Sequence, residues 1–330
     1  MNILITGIHG FVGSNLVASL KNEHSIYGLD IVTPQKEGVV NTYTWAELET
    51  IPSVDVVIHL AGKAHDTKNQ TNAQVYFDIN TGLTQKIYDW FLSSEAKKFI
   101  FFSSVKAAAD KVVGEVLTEE IVPSPKGPYG ESKIKAEEYI QSKWTVDSGQ
   151  LTAGRYNKDN YQLSTINYQL KRTYILRPCM IHGPGNKGNL NLLYKVVKKG
   201  IPYPLGAFEN RRSFCSIDNL SFVISGLIEK EVASGIYNVG DDESLSTNEL
   251  ITLMAVTMGK HASIWKWNKA LVQLAAKVGT MLHLPLNTER LQKLTENYVV
   301  SNAKIKQALG VDKMPVRAEE GLRKTVNSFQ

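Results

Sequence analysis

The chain has 330 residues, of which 43% are hydrophobic and 21% are charged, and its net charge at pH 7 is +5. This length allows one large domain or two interleaved domains, and the composition is that of an ordinary soluble protein. The modest positive charge gives no reason to expect a nucleic-acid partner, although it suits an anionic substrate.

The two cysteines, Cys179 and Cys215, form no disulfide framework and no metal-binding motif. We therefore expect no metal, and a reducing compartment such as the cytoplasm. The apolar run at the N-terminus is itself part of a glycine motif, so we expect no signal peptide. The longest apolar stretch, 270–286, is short for a membrane span and is interrupted by Lys277. It predicts an amphipathic helix, and we expect no membrane partner.

Three glycines follow the first apolar run. Residues 3–5 predict a buried parallel strand, after which Gly7, Gly10 and Gly13 lead into a helix over 14–20. Gly7 permits a tight strand-to-helix turn, Gly10 lets the backbone approach a pyrophosphate, and Gly13 lets the helix pack close to the strand. The free N–H groups of the helix N-terminus would then face the phosphates, so the pattern predicts a dinucleotide site.

A carboxylate after the next strand strengthens the prediction of a dinucleotide site. Residues 25–29 predict a second strand, and Asp30 follows it near the spacing at which an acidic residue binds the adenosine ribose. The alternative is that Asp30 only starts a turn.

Strands and helices alternate through the first half of the chain, which predicts an α/β fold with a doubly wound parallel sheet. Further strands are expected at 54–60, 98–102, 173–178, 213–217 and 235–239. The main helices are expected at 74–93, 129–142, 190–199, 219–229, 247–258, 269–282 and 318–326. Residues 44–49 predict a short helix, Asp218 is expected to cap the helix that follows it, and 143–172 predicts a polar insertion.

A serine, a tyrosine and a lysine stand where this topology can bring them together. Ser103 and Ser104 follow the strand at 98–102, and Tyr129 and Lys133 are four residues apart on one helix face. A tyrosine with a pKa of ~10 is a poor base at neutral pH, but a lysine ammonium and a cationic nicotinamide would both favour its phenolate. The serine could hold a sugar hydroxyl while Tyr129 acts as general base and the nicotinamide accepts hydride from the same carbon. The alternative is that both helix residues are ordinary surface positions.

Motifs that match a known family run along nearly the whole chain. They are Thr6-Gly-x-x-Gly-Phe-Val-Gly13, Asp30, His59-Leu-Ala61, Asn80, Ser103-Ser104, Tyr129-Gly-x-Ser-Lys133, Leu176-Arg-Pro178, His182-Gly-Pro-Gly185, Arg212-Ser-Phe214, Ile217-Asp218 and Tyr237-Asn-Val-Gly240. With them the sequence resembles the extended short-chain dehydrogenase/reductase family, in its nucleotide-sugar epimerase/dehydratase branch. It is similar to UDP-glucose and UDP-N-acetylglucosamine 4-epimerases.

The resemblance implies a Rossmann-type NAD-binding domain over 1–178 and about 211–239. It also implies a smaller, interleaved C-terminal domain that binds the nucleotide sugar, over 179–210 and 240–330. The implied cofactor is NAD, with Lys133 at the ribose, Asn80 near the nicotinamide side of the site and Pro178 against the carboxamide. The full set assigned to the cofactor is Gly7, Gly10, Phe11, Val12, Gly13, Asp30, Ile31, Leu60, Ala61, Gly62, Asn80, Tyr129, Lys133 and Pro178.

The same resemblance makes Ser104, Tyr129 and Lys133 the catalytic residues, with Ser104 as the ligand of the substrate hydroxyl. Asn189 and Leu190 fall where the family contacts the UDP-sugar. Arg212 falls where the family clasps the pyrophosphate, a task that suits the fork of donors on a guanidinium. An ordinary surface ion pair is the alternative for Arg212.

The implied function is NAD-dependent C4 epimerisation of a UDP-hexose or UDP-N-acetylhexosamine through a 4-keto intermediate, for surface polysaccharide synthesis. In 4,6-dehydratases of the family an Asp-Glu pair follows the serine position, whereas Val105 and Lys106 follow Ser104 here. Two alternatives stay open: a 4-keto reductase of a nucleotide-activated 6-deoxy sugar, and an NAD-binding sensor or assembly subunit without catalysis. Family members pair two long helices between copies, so a homodimer is expected through the helices at 74–93 and 129–142.

Overall fold

The computed structural model describes residues 1–63, 72–144, 171–186, 188–282 and 287–329. Most of the predicted insertion at 143–172 lies outside these described residues.

The strands form two sheets. Their bounds are β1 Asn2–Thr6, β2 Ser25–Leu29, β3 Asn41–Tyr43, β4 Val56–His59, β5 Lys98–Phe102, β6 Arg172–Pro178, β7 Met180–His182, β8 Arg212–Ser216, β9 Gly235–Val239 and β10 Ser244–Leu245. The main sheet has seven parallel strands in the order β3-β2-β1-β4-β5-β6-β9, and a smaller sheet has the order β10-β8-β7. The strand order reverses between β1 and β4, so a ligand is expected outside the carboxyl ends of these two strands.

The helices lie on both faces of the main sheet and in the C-terminal part of the chain. Their bounds are α1 Phe11–Leu20, α2 Ala73–Tyr76, α3 Leu83–Ser93, α4 Val105–Ala108, α5 Pro128–Ser142, α6 Asn189–Lys198, α7 Ile217–Glu229, α8 Thr247–Thr257, α9 Lys269–Met281, α10 Thr288–Thr295, α11 Ala303–Leu309 and α12 Ala318–Asn327. A π-helical segment, Phe77–Gly82, joins α2 to α3, so the long helix predicted at 74–93 is continuous but wider at its centre.

Successive residues of the central strand face opposite layers. Ile3 and Ile5 of β1 pack into the core beneath α1 and α7, whereas Leu4 packs into the core beneath α3 and α5. This period of two, with apolar side chains on both faces, is what a parallel sheet covered on both sides requires. The prediction of a doubly wound Rossmann-type sheet is therefore confirmed.

The start of α7 corrects one prediction. Asp218 was expected to cap this helix, but the cap is Ser216, whose Oγ accepts the backbone N–H of Asn219 at 3.2 Å. The Asp218 carboxylate instead accepts Lys324 Nζ at 2.6 Å. Serine and aspartate are both good caps, so the sequence alone does not decide between them.

The short helix predicted at 44–49 is also different. Only a single 3₁₀ turn forms, over Leu48–Thr50. The carboxylate of Glu47 accepts the backbone N–H and the hydroxyl of Thr44, at 2.8 and 2.7 Å. These bonds hold the preceding residues in a turn, and the helix does not extend back to residue 44.

Candidate active site

The turn after β1 has the backbone geometry that its glycines predict. Gly7 has a φ of 68°, in the left-handed region, and a Cβ there would lie 3.0 Å from Cα of Ala61. A Cβ on Gly13 would lie 2.7 Å from the Gly7 carbonyl oxygen, so α1 packs directly on the turn. A Cβ on Gly10 would meet one atom of the described chain, the Gly7 carbonyl oxygen at 3.1 Å.

The open side of Gly10 fits a phosphate. No side chain of the described residues caps the N-terminus of α1 at this position. The first N–H groups of the helix are therefore available to an anion, and the helix dipole favours negative charge there. A pyrophosphate can approach the backbone at Gly10 without meeting a side chain, so the turn fits the central part of a dinucleotide.

Asp30 is held at the edge of this turn. Its carboxylate accepts the backbone N–H of His9 at 3.0 Å and that of Ile31 at 2.8 Å. Nearby, Lys36 Nζ donates to Ser14 Oγ in the first turns of α1, at 2.9 Å. The structure thus brings Asp30 to the glycine turn, as the sequence predicts, and adds a cation that the sequence analysis did not consider.

Gly62, after β4, leaves space that the polar ends of Asn80 and Lys133 fill. A Cβ on Gly62 would lie 2.9 Å from Oδ1 of Asn80 and 3.2 Å from Nζ of Lys133. Asn80 is fully buried on the π-helical segment, where its Oδ1 accepts Lys63 N at 2.8 Å and its Nδ2 donates to Ser132 Oγ at 2.9 Å. The three residues therefore meet at one point on the carboxyl edge of the sheet.

Ser104, Tyr129 and Lys133 also meet at this edge. Ser104 caps α4 just after β5, and its side chain is hydrogen-bonded to the Tyr129 hydroxyl. Lys133 lies one turn further along α5, where its Nζ donates to the Phe102 carbonyl oxygen at 2.8 Å. The helix begins at Pro128, whose fixed φ favours a first helical position. Because Tyr129 and Lys133 both lie within this helix and are four residues apart, they lie on one face.

Burial dominates the acid–base properties of this group. It raises the pKa of Tyr129 above its ordinary value, although the hydrogen bond to Ser104 opposes the rise. Burial also lowers the pKa of Lys133 to about 8, against the opposing charge of Glu137. In the protein alone the pKa of Tyr129 is therefore raised, because burial outweighs the influences that lower it.

Beneath Lys133 lies a buried ion pair that the sequence analysis missed. Glu137 is on the next turn of α5, and its carboxylate accepts Arg177 Nε at 3.0 Å and a terminal nitrogen of the same guanidinium at 2.5 Å. Both side chains are at most 1% exposed, and Ser103 Oγ also donates to this carboxylate. Four-residue spacing along Tyr129, Lys133 and Glu137 places all three on one helix face, so it was an available signal for Glu137, although not for its pairing with Arg177.

A second cluster lies toward the C-terminal part of the chain. Arg212 opens β8, and its guanidinium donates to the carbonyl oxygen of Lys293 in α10. Its buried Nε has no hydrogen-bond partner among the described residues. Burial lowers the pKa of Lys106, Asp110 and Glu296 oppose this, and the charge of Arg212 adds to the lowering. Lys106 is also paired with Asp110, whose carboxylate lies 3.4 Å from its Nζ.

Tyr298 connects this cluster to the loop that follows Ser104. It pairs with Arg212 in a β-bridge, and its hydroxyl donates to the Ala109 carbonyl oxygen in the loop after Ser104, at 2.7 Å. Lys106 Nζ lies 4.4 Å from the centre of the Tyr298 ring. Lys106 and Tyr298 are the residues of this region that the sequence analysis did not assign to the site.

The remaining predicted residues lie at several places. Phe11 and Val12 begin α1, Ile31 is 80% exposed beside Asp30, and Pro178 ends β6. Leu60 packs partly buried against the core, Asn189 is the first residue of α6, and the Leu190 side chain is buried in an apolar cluster. The structure therefore brings Leu190 into the core of the C-terminal part, where its side chain serves packing.

Within the described ranges, no group of three or more His, Cys, Asp or Glu side chains is placed to hold a metal ion. None of the described helices combines the length and the apolar character needed to cross a membrane. Cys179 and Cys215 are both buried and free.

Comparison with known proteins relates this chain to a family of enzymes. The model of the NAD dependent epimerase/dehydratase family matches residues 3–240. The chain is 30% identical to a UDP-glucose 4-epimerase of Vibrio cholerae, over 99% of this chain and 95% of that protein. It is 27% identical to an N-acetyl-alpha-D-glucosaminyl-diphospho-ditrans,octacis-undecaprenol 4-epimerase of Escherichia coli O157:H7, over 78% of this chain and 73% of that protein. The structure of a UDP-N-acetylglucosamine 4-epimerase from Bacillus cereus superposes with a TM-score of 0.73 at 18% identity, covering 100% of this chain and 99% of that one.

Proposed function

The chain belongs to the NAD dependent epimerase/dehydratase family, and we propose that it inverts C4 of a UDP-hexose or UDP-N-acetylhexosamine. The observation that carries the proposal is the meeting of Ser104, Tyr129 and Lys133 at the carboxyl edge of the main sheet, with Tyr129 and Lys133 one helical turn apart. This group lies on the same sheet edge as the open glycine turn. The residues thus combine a dinucleotide site with an acid–base site, which is what C4 oxidation and reduction of a sugar need.

The proposed roles follow from the contacts. Bound NAD supplies hydride transfer to and from the sugar carbon. Ser104 holds the C4 hydroxyl of the substrate, and Tyr129 removes its proton as general base and later returns one to the 4-keto oxygen. Lys133, anchored on the Phe102 carbonyl, keeps a positive charge beside the ribose and the tyrosine.

Charge is needed to activate Tyr129. Because burial raises its pKa, the phenolate forms at neutral pH only when nearby positive charge offsets the cost of burying it. Lys133 and an oxidised nicotinamide both supply such charge. Tyr129 should therefore be an effective base only when the cofactor is present.

The cluster of Lys106, Arg212 and Tyr298 is proposed to hold the diphosphate end of the substrate. Lys106 and Arg212 both contact Tyr298, and two such cations suit a diphosphate. The buried Nε of Arg212, which has no hydrogen-bond partner among the described residues, can donate to it. An epimerase must release the 4-keto sugar and rebind its other face without losing the intermediate. Holding the substrate by its remote end allows this rotation, so this arrangement supports epimerisation.

The residues after Ser104 do not favour elimination of water. Val105 is buried, and Lys106 Nζ donates to the Asp110 carbonyl oxygen at 2.8 Å. Neither residue is a carboxylate, whereas the dehydratases of the family place an Asp-Glu pair at this point. The alternative enzyme is a 4-keto reductase, which would use the same three catalytic residues.

The test is incubation of the purified protein with UDP-glucose, UDP-N-acetylglucosamine and at most catalytic NAD. Equilibration with the C4 epimer, without stoichiometric NADH, is the expected result. The panel should also include the same N-acetylated sugar on a polyprenyl diphosphate, because one relative is named for such a substrate and both carriers share the diphosphate.

Two outcomes would contradict the proposal. If no C4 epimer forms and a 4-keto-6-deoxy sugar nucleotide instead oxidises NADH or NADPH stoichiometrically, the protein is a reductase. If NAD binds but no sugar of the panel is converted, a sensor or assembly subunit becomes the better assignment. The epimerised sugar would supply surface polysaccharide synthesis in the proposed reading.

A further inference from the structure

An apolar surface lies exposed on the C-terminal part of the chain, far along the sequence from the catalytic residues. We name it the α9 surface. It consists of Trp265, Trp267, Leu271, Leu274, Val278 and Met281, whose exposed fractions are 51%, 53%, 67%, 59%, 44% and 79%. Several large apolar side chains exposed within one short segment mark a place where a domain meets a partner or a membrane.

Helix α9 carries two apolar stripes instead of one. Val272 and Ala276, four residues apart, are buried against Leu291 of α10. Leu271, Leu274 and Val278 follow the helical period on a different side and stay exposed. One apolar stripe is enough to dock α9 on its own domain, so the second stripe is not explained by folding.

The charged residues of the segment that carries the α9 surface all have one sign. Residues 259–282 contain four lysines and no aspartate or glutamate. Lys266 lies between the two tryptophans, while Lys269 and Lys277 lie on α9, and all three are exposed. The neighbouring helix α10 adds one exposed acidic residue, Glu289, which is paired with Lys293 at 2.7 Å. The unpaired excess of charge beside the apolar surface is therefore positive, which is complementary to a partner that is apolar inside and anionic at its edge.

The two tryptophans are fixed by the backbone. Trp265 N donates to the Tyr203 carbonyl oxygen at 2.8 Å, and the Trp265 carbonyl oxygen accepts Gly206 N at 2.9 Å. The indole rings of Trp265 and Trp267 are nearly parallel, with centroids 6.3 Å apart. Both rings are thus presented outward by a braced segment, which lowers the entropic cost of inserting them into another phase.

We propose that the α9 surface docks onto an anionic lipid bilayer, with α9 lying in the plane of the membrane. Lipid headgroups supply the negative charge that the lysines lack, and the interface between headgroups and acyl chains is where tryptophan is enriched. A helix with an apolar stripe and lysines on its polar side binds in this way without crossing the bilayer. The expectation of no membrane partner, drawn from the sequence, is replaced here by this proposal.

A second copy of the chain is a poorer occupant. A twofold contact through this surface would bring Lys266, Lys269 and Lys277 of one copy near the same lysines of the other, with no acidic residue of 259–282 to pair with them. Like charges across an interface disfavour such pairing. Anionic lipid therefore fits the observations better than self-association does.

Docking would also orient the proposed substrate site. Helix α10 packs against α9 through Leu291 and contacts Arg212 through the Lys293 carbonyl oxygen. The α9 surface thus belongs to the same part of the chain that is proposed to hold the diphosphate. The inference rests on the surface alone and stands whether the protein is an epimerase or a reductase.

The test uses the full-length protein and vesicles, without substrate. We expect co-sedimentation with vesicles of equal parts phosphatidylglycerol and phosphatidylcholine, and much weaker co-sedimentation with phosphatidylcholine alone. Raising the salt concentration should weaken the binding. Lipids brominated on the acyl chains should quench tryptophan fluorescence, and Trp265→Phe with Trp267→Phe should abolish that quenching.

Two variants examine the two halves of the surface. Leu274→Glu with Val278→Glu should lower the partition constant at least about tenfold, because two apolar anchors are lost and acidic charge is added. Lys266→Gln, Lys269→Gln and Lys277→Gln together should lower it on the order of 100-fold on anionic vesicles. The matched control is Lys97→Gln, Lys304→Gln and Lys313→Gln, which removes the same charge from exposed lysines elsewhere and should change binding little.

Folding and self-association are measured separately from vesicle binding. Each variant should keep the circular dichroism spectrum and NAD affinity of the unmodified protein, because the replaced side chains are exposed. Absence of binding to anionic vesicles, or equal loss of binding in the control triple variant, would overturn the proposal. A fall in mass of the vesicle-free protein on Leu274→Glu would identify the α9 surface as a subunit interface and would overturn it as well.

Discussion

Two regions of the molecule depart from the usual distribution of side chains, in opposite directions. At the carboxyl edge of the main sheet, the proposed catalytic edge, Lys133, Glu137 and Arg177 are charged and yet buried, whereas on the α9 surface Leu271 and Met281 are apolar and yet exposed. Buried charges need partners, and the chain supplies them at the catalytic edge. Exposed apolar groups need cover, and the described part of the chain does not supply it. The buried charges are thus satisfied within the chain, whereas we propose that the α9 surface is covered by a membrane.

The largest expected effect separates the two regions completely. Tyr129→Phe removes the hydroxyl that bonds to Ser104 and should lower kcat by a factor on the order of 10² to 10⁴, as for loss of a general base. Cofactor affinity and vesicle binding should stay nearly unchanged. Steady-state epimerisation, NAD titration and co-sedimentation measure the three quantities. A phenylalanine variant that kept most of its activity would show that the site is wrongly assigned.

The next effect concerns the buried ion pair. Glu137→Gln leaves the Arg177 guanidinium buried without its counter-charge, which should cost about 3–5 kcal/mol of unfolding free energy. The variant Glu137→Gln with Arg177→Met removes both charges and should recover most of that loss. Denaturant unfolding measures both variants. Equal stability of the single variant and the unmodified protein would mean that the ion pair contributes little to the free energy of folding.

The same variants test the link from Glu137 to catalysis. The pKa of Lys133 is about 8, so activity should fall as pH rises through that value and the lysine loses the charge that favours the phenolate. Because the charge of Glu137 raises this pKa, Glu137→Gln should move the alkaline fall to lower pH. The pH profile of kcat/KM should show the same displacement in the stability-matched double variant. An unmoved profile would make Glu137 structural only.

Cofactor choice is expected to change less. The Asp30 carboxylate should favour NAD over NADP, because it can accept the ribose 2′-hydroxyl and repels a 2′-phosphate. Asp30→Ala should narrow the preference on the order of tenfold, measured by the two dissociation constants. Lys36 is the side chain that could reverse this, since its Nζ lies at Ser14 in the start of α1. Equal or tighter NADPH binding by the unmodified protein would contradict the prediction, and Lys36→Met would then show whether this lysine is the cause.

The sequence predicts most of the main sheet because its strands are apolar runs between turn residues. The strands at 25–29, 98–102 and 235–239 have the predicted bounds in the structure. The sequence does not resolve the cap of α7, because Ser216 and Asp218 are both capping residues two positions apart. Boundaries of this kind depend on where the preceding strand ends, which is a tertiary property.

The candidate site likewise contains residues that the sequence predicts and residues that it does not. Tyr129 and Lys133 are predictable because helix geometry fixes their relation, and Gly7 because only its backbone suits the turn. The pairing of Glu137 with Arg177 is not predictable from spacing, since the two residues lie on different elements, 40 positions apart. On α9 the sequence predicts an amphipathic helix, but it cannot tell that a second apolar stripe stays uncovered. Burial depends on what packs against a helix, and local sequence does not contain that information.

The smallest effect is expected on subunit association, and it tests whether the two regions have separate partners. A homodimer is predicted through the helical stretch 74–93 and α5, yet few apolar side chains are exposed there: Val75 is 37% exposed and Phe77 is half-buried. If this face pairs about a twofold axis, Val75→Glu introduces two charges into one interface and should weaken the dimer roughly threefold, because Val75 is already partly exposed. Light scattering across micromolar concentrations measures the mass, with Leu274→Glu as the matched control that should leave it unchanged. A monomer at those concentrations would make the homodimer prediction wrong. A mass that falls with Leu274→Glu and not with Val75→Glu would mean that a second copy of the chain covers the exposed stripe of α9. The α9 surface would then be a subunit interface and would no longer need a different partner.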